Sequence, residues 1–190
     1  MSINLSKGGR INLSKEAPGL KSAGIGLGWD TNATDTGAAF DLDASVFMLN
    51  ATAKIPSEKY FVFYNNQESP DSSVKHLGDS RTGEGLGDDE TVTVDLSKVA
   101  PDVLEIVFVV TIHEAESRRQ NFGQVRNAFI RIYDTTTNIE VTKYDLDEDF
   151  SRETAIEFGR LYKKDGEWRF QAVGEGYNSG LQSFVDKYTA

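Results

Sequence analysis

Cysteine is missing altogether from this chain of 190 residues. That absence removes disulfides, thiolate metal sites, cysteine nucleophiles and thiol redox chemistry together. Histidine occurs only as His76 and His113, too few for an ordinary zinc site; both read as structural or surface histidines. No basic-then-apolar leader opens the chain, and the longest apolar run, 106-IVFVVTI-112, is far too short to cross a bilayer. Basic surface is also scarce: the formal charge is −10, and nucleic acid, whose phosphates need a cationic partner, is not the expected ligand. A soluble intracellular protein, cytoplasmic, is the expectation. With 38% hydrophobic and 26% charged residues, the chain suits one globular domain over residues 1–190.

What is present is acid, unevenly placed. The stretch 78-GDSRTGEGLGDDE-90 holds five carboxylates and four glycines against one arginine, and four aspartates fall between Asp30 and Asp43 with no Lys or Arg. Glycine raises the entropy lost on ordering and neighbouring carboxylates repel, so these segments oppose their own folding unless something offsets the charge. A hard divalent cation does so. Ca²⁺ takes roughly 6–8 oxygen ligands from carboxylates and backbone carbonyls. The candidate ligands are Asp79, Asp88, Asp89 and Glu90, with Gly83 and Gly85 turning carbonyls inward. Asp41 and Asp43 share one face of a strand, and Asp30 and Asp71 enter by their loop positions. Two or more Ca²⁺ ions are expected, with Mg²⁺ as the alternative. The EF-hand pattern is missing, and the bland reading is an acidic, solvated hairpin tip.

The rest of the grammar is β. Alternating or apolar runs recur at SINLS, INLSK, 41–49, 60–64, 91–96, 103–113, 128–134, 139–146, 156–162 and 167–173, separated by turn residues. This pattern predicts an all-β, mainly antiparallel β-sandwich of two sheets with a few short helices. The 103–113 run, apolar on both faces, reads as a central strand. The repeated INLSK reads as a hairpin over Lys7-Gly8-Gly9 with Gly9 left-handed, although parity also allows its two arms to join different sheets. A three-residue turn over Lys164-Asp165-Gly166 would align Tyr162 with Trp168. Helix is predicted over 114–122, and Leu181, Phe184, Val185 and Tyr188 follow i, i+3, i+4, i+7 spacing in a C-terminal amphipathic helix. Neither 24-GIGLG-28 nor 83-GEGLG-87 has the spacing of a phosphate-binding loop. There is no G-x-S-x-G elbow and no distinct carboxylate pair of the glycosidase kind. Trp29 and Trp168 read as core aromatics.

The linked set 4-NLSKGG-9, 12-NLSKEAPGL-20, 26-GLGWD-30, 40-FDLDASVFML-49, 82-TGEGLGDDE-90, 110-VTIHEA-115, 122-FGQVRNAFIRI-132, 144-YDLDEDFS-151 and 166-GEWRFQAVGEGY-177 resembles the bacterial TerD family of tellurite-resistance and general-stress proteins. The resemblance implies a β-sandwich that binds Ca²⁺ through acidic loops. It maps Asp41 and Asp43 onto a D-L-D motif and Asp88, Asp89 and Glu90 onto G-D-D-E. Asp79 maps onto the aspartate of G-D-N, whose Asn is replaced here by Ser80. It also implies partners among other tellurite-resistance cluster proteins, one of them membrane-bound, hence a place at the inner face of the membrane. It implies no catalysed reaction. An acidic protein without thiols neither reduces tellurite nor attracts its dianion, so direct tellurite binding is not expected. The expected role is a calcium-ordered sensor, adaptor or scaffold. The alternatives are Ca²⁺-dependent attachment to an anionic membrane and a metal-assisted hydrolase using the same ion.

Overall fold

The computed structural model describes residues 2–31, 40–79 and 87–189, with Thr31 and Asp79 described in their backbone alone. Alternating side chains sort the strands into two six-stranded sheets. The first contains β1 (Ile3–Leu5), β3 (Ser22–Thr31), β6 (Val74–Asp79), β7 (Glu90–Asp95), β9 (Val125–Asp134) and β10 (Glu140–Asp145), in the order β1-β10-β9-β3-β7-β6. The second contains β2 (Arg10–Asn12), β4 (Leu42–Leu49), β5 (Phe61–Val62), β8 (Glu105–Ile112), β11 (Ala155–Lys164) and β12 (Glu167–Tyr177), in the order β2-β12-β11-β8-β4-β5. Every pairing is antiparallel except β1 with β10. The helices are short: α1 (Leu13–Glu16), α2 (Ala115–Arg118) and α3 (Gly180–Thr189). None among the described residues is long and apolar enough to cross a membrane.

Between the sheets, Ile25, Leu27, Val92, Val94, Ile130 and Ile132 meet Val46, Met48, Phe108, Val110, Phe158 and Phe170 in one continuous core. A second, smaller core lies on the outer face of the second sheet. There Phe47, Val107 and Val109 are covered by Phe184 and Tyr188 of α3. This is why β8 reads as apolar on both faces: one face meets the other sheet and the other meets a helix. The predicted C-terminal stripe is therefore the one in use. Beneath it Glu157, fully buried, pairs with Arg160 and accepts a hydrogen bond from the Tyr188 hydroxyl at 3.2 Å.

Three local expectations are corrected. The INLSK repeat is not a hairpin: β1 joins the first sheet and β2 the second, and the second copy bends into α1 with Asn12 accepting from Lys15 N at 3.2 Å. The turn between the copies closes through Gly9 N to Ser6 O at 2.8 Å, and the left-handed residue is Gly8 (φ +78°), not Gly9. The second turn is a two-residue one. Asp165 and Gly166 both have positive φ and Lys164 faces Glu167, as a type I′ hairpin requires; an irregularity between Glu157 and Gly159 keeps Phe158 and Leu161 both facing the core. Finally, helix over 114–122 shrinks to α2 and a 3-10 turn at Phe122–Gln124.

The periodicity reading misses two strands, the shorter β6 and the ten-residue β3. The outward positions of β3 are Gly24, Gly26 and Gly28, and a Cβ there would overlap the ring of Tyr133, the carboxylate of Asp88 and the ring of Phe129, respectively. Glycine here makes room for side chains that lie flat across the strand. Gly26→Ala must displace the Asp88 carboxylate. It is expected to cost about 1–3 kcal/mol by overpacking, read as a lowered urea midpoint; an unchanged midpoint would mean that Asp88 is not seated over β3.

Candidate functional site

Registry brings the acidic segments to one end of the sandwich. Leu27 and Asp79 both pair with Glu90, Asp30 pairs with Arg126, and Leu42 pairs with Ile112. The ends of β3, β6 and β8 and the starts of β4, β7 and β9 therefore lie together. Asp30, Asp41, Asp43, Asp88, Asp89 and Glu90 all sit at this end. Gly83 and Gly85 lie outside the described residues, as does the side chain of Asp79.

Glu90 is the deepest of these acids, 2% exposed and turned inward between the sheets. Its Oε2 accepts the Ala44 amide of β4 at 2.7 Å and lies 3.1 Å from His76 Nε2. The Ala44 amide needs this partner because β5, the neighbouring strand, pairs only with Val46 and Phe47. Gly78 N donates to His76 Nδ1 at 3.0 Å, so the neutral ring carries its proton on Nε2 and donates it to Glu90. Burial disfavours the imidazolium, but the hydrogen bond and charge of Glu90, with Asp43 nearby, hold the His76 pKa above its ordinary value. Among the described residues the second oxygen of Glu90 has no hydrogen-bond partner.

Asp89 accepts the Trp29 amide at 2.7 Å through Oδ2. Its pKa is raised, first by burial and then by the charges of Asp30 and Asp88, against the pull of the Trp29 amide. Asp30 is exposed and accepts from Asn127 Nδ2 at 2.7 Å. Asp30 and Asp89 thus form an under-compensated carboxylate pair, each with one oxygen that accepts no hydrogen bond among the described residues. Beside them lies a cavity of about 580 Å³ bordered by Trp29, Asp30, Gly87, Asn127, Asp145 and Asp147. Asp41 is exposed next to it in sequence to β4, its carbonyl accepting His113 N at 2.8 Å, and Asp43 is engaged at the start of β4.

Two predicted ligands are committed to other work. Asp88 makes a bidentate pair with Arg131, with Nε and Nη2 both at 2.7 Å, and Arg131 also stacks over Tyr133 at 4.8 Å. Arg131, which the sequence reading missed, had one available signal: alternation puts it on the same outward face of β9 as Phe129 and Tyr133. Asp71 lies at the opposite end of the sandwich, before β6, and its oxygens take the hydroxyls of Ser69 and Ser73 and the amides of Ser73 and Ala100. Among the described residues, no three His, Asp or Glu side chains converge into a ready-made ion cage. The donor set at the 88–90 end is nonetheless all hard oxygen, carboxylates with spare lone pairs and raised energy, which fits Ca²⁺ and not a soft metal.

For Asp71, burial raises the pKa but the Ser69 and Ser73 hydroxyls and the Ala100 and Ser73 amides outweigh it, leaving the group lowered. A lowered folded pKa stabilises above the unfolded value, near 3.9, and that stability is lost as pH falls through the folded value. Asp71→Ala should therefore cost about 1–2 kcal/mol at pH 7, measured by urea unfolding. The gap from the parent should close below about pH 4 and should not respond to calcium.

Comparison with known proteins agrees with this architecture. The TerD domain model matches residues 1–188. The chain is 54% identical over 188 residues to a protein named tellurium resistance protein TerD from Serratia marcescens, covering 99% of this chain and 97% of that one. It is 53% identical over 188 residues to general stress protein 16U from Bacillus subtilis strain 168, with the same coverage. A crystal structure of a homologue of telluride resistance protein (TerD) from Streptomyces coelicolor A3(2) superposes with a TM-score of 0.67 at 24% identity, over 90% of this chain and all of that one; it supports the fold alone.

Proposed function

This chain belongs to the TerD family, whose named members are tellurium-resistance and stress-response proteins, and from that premise we propose that it is a non-catalytic, calcium-binding adaptor. Ca²⁺ would be held by carboxylates of Asp30, Asp41, Asp43, Asp79, Asp89 and Glu90, with carbonyls of Gly83 and Gly85. When bound, the ion supplies charge neutralisation that lets these segments approach. The observation that carries the reading is the Asp30–Asp89 pair, where burial and mutual repulsion both push the Asp89 pKa upward. Asp88 serves by fixing the segment's start against Arg131, and Asp71 takes no part in holding the ion.

In this reading the ordered end presents one face to a partner protein of the same stress response at the cytoplasmic side of a membrane. Glu90 is the mechanical link in this scheme, because it touches both sheets and borders the acidic segment. Any pull of an ion on its free oxygen is transmitted to β4 through the Ala44 amide.

Isothermal titration with Ca²⁺ should show binding that Asp30→Asn/Asp89→Asn weakens at least tenfold, about 1.4 kcal/mol or more, and that Asp71→Asn leaves unchanged. At calcium one hundred times Kd, folding should gain about 2.7 kcal/mol, seen as a raised melting temperature that EDTA reverses. Absence of heat, or heat indifferent to the Asp30/Asp89 change, would refute the assignment.

A further inference from the structure

A cleft of about 1100 Å³ lies on the outer face of the second sheet, just beyond the start of α3. Its floor is the outward row Asp43, Ser45 and Thr111, where β4 and β8 pair. Its walls are 112–117, Arg152, Thr154 and the entry to α3 at 178–181, with the exposed ring of Tyr64 at the rim. None of its polar groups except Asp43 belongs to the proposed calcium ligands.

Two features of this floor are unexplained by the fold. Ser45 is 2% exposed and Thr111 5% exposed, and among the described residues neither hydroxyl makes a hydrogen bond, so the access each keeps is to the cleft. Side chains this little exposed usually bond their hydroxyls within the protein, and a nonpolar residue would serve the fold as well if packing were the only demand. The helix entry is the second feature. Gly180 N is satisfied by Thr154 Oγ1 at 3.1 Å, which itself donates to Asn178 O, but the amides of Leu181 and Gln182 have no acceptor among the described residues. They form the positive end of a ten-residue helix.

Charge in the cleft favours an anion more than a residue count suggests. Glu114 is already held by Arg118 through Nε at 3.2 Å and Nη2 at 3.0 Å, and Asp43 is engaged. Arg152 lines the cleft with no ion pair among the described residues, and His113 adds a further donor whose acidic neighbour, Glu114, is 3.9 Å away. Among the described residues Glu116 has no cationic partner, and it is exposed on α2, while Asp43 lies on the floor.

We propose that this cleft binds a small molecule through a phosphoryl group seated at the start of α3. Three acceptor oxygens match the three kinds of donor present: helix amides, the Ser45 and Thr111 hydroxyls, and the Arg152 guanidinium. The remaining volume, walled by Ile112, Leu181 and the Tyr64 ring, takes the body that carries the phosphate. The site depends on no metal ion.

The test is a ¹⁵N–¹H NMR titration of the full chain in EDTA, with phenyl phosphate, inorganic phosphate, benzoate and tellurite as probes. Phenyl phosphate should shift the amides of Leu181, Gln182, Ser45 and Thr111 together, and inorganic phosphate the same set more weakly. Arg152→Gln should weaken phenyl phosphate roughly tenfold, as should Ser45→Ala/Thr111→Val, while spectra without ligand keep the parent's dispersion. Shifts that scatter over surface Lys and Arg, or that survive both variants, overturn the site. Tighter binding of benzoate or tellurite than of the phosphates overturns the phosphoryl assignment.

Discussion

One buried carboxylate closes the mouth of this sandwich. Glu90 leaves the first sheet, crosses to the second and takes the amide that β4 would otherwise leave open where β5 has ended. His76 steadies it from the neighbouring strand. Removing a polar group from water costs several kcal/mol unless partners replace the lost hydration, and Glu90 is tolerated because two donors converge on one of its oxygens. The unused oxygen borders the acidic segments, so a structural tie and a chemical opportunity occupy the same side chain.

Around that tie the acids divide by environment. Asp88 is neutralised by a guanidinium, Asp71 is capped by hydroxyls and amides, and Asp30 with Asp89 is left repelling. The same residue type therefore performs three tasks, and burial with partner geometry decides which. Only the third kind has spare acceptor capacity and a reason to attract a cation, so the acidic end is a gradient of compensation and not a uniform negative patch.

Much of the framework was legible in the chain. The run around residue 106, the strands flanking Asp165-Gly166 and the helical stripe from Leu181 to Tyr188 follow from period alone, because one face of each is buried. β3 was not, because its outward glycines look like a loop until Tyr133, Asp88 and Phe129, distant in sequence, are known to lie on them. The first turn was misjudged because alternation reports which residues share a face, not which sheet receives them. Asp71 and Asp88 show the corresponding limit for the site: an aspartate that caps a turn and one that faces an arginine are written identically to one that awaits an ion.

The division of the first fifteen residues between the sheets carries a consequence for the order of assembly. β1 finds its neighbour in β10 and β2 in β12, strands separated from it by more than a hundred residues. During synthesis β1 and β2 emerge well before β10 and β12, the strands they dock on. Each sheet thus acquires one edge strand late, the first after β10 and the second after β12. These two strands act as a latch thrown late, and pairings so distant in sequence are of the kind that slows folding.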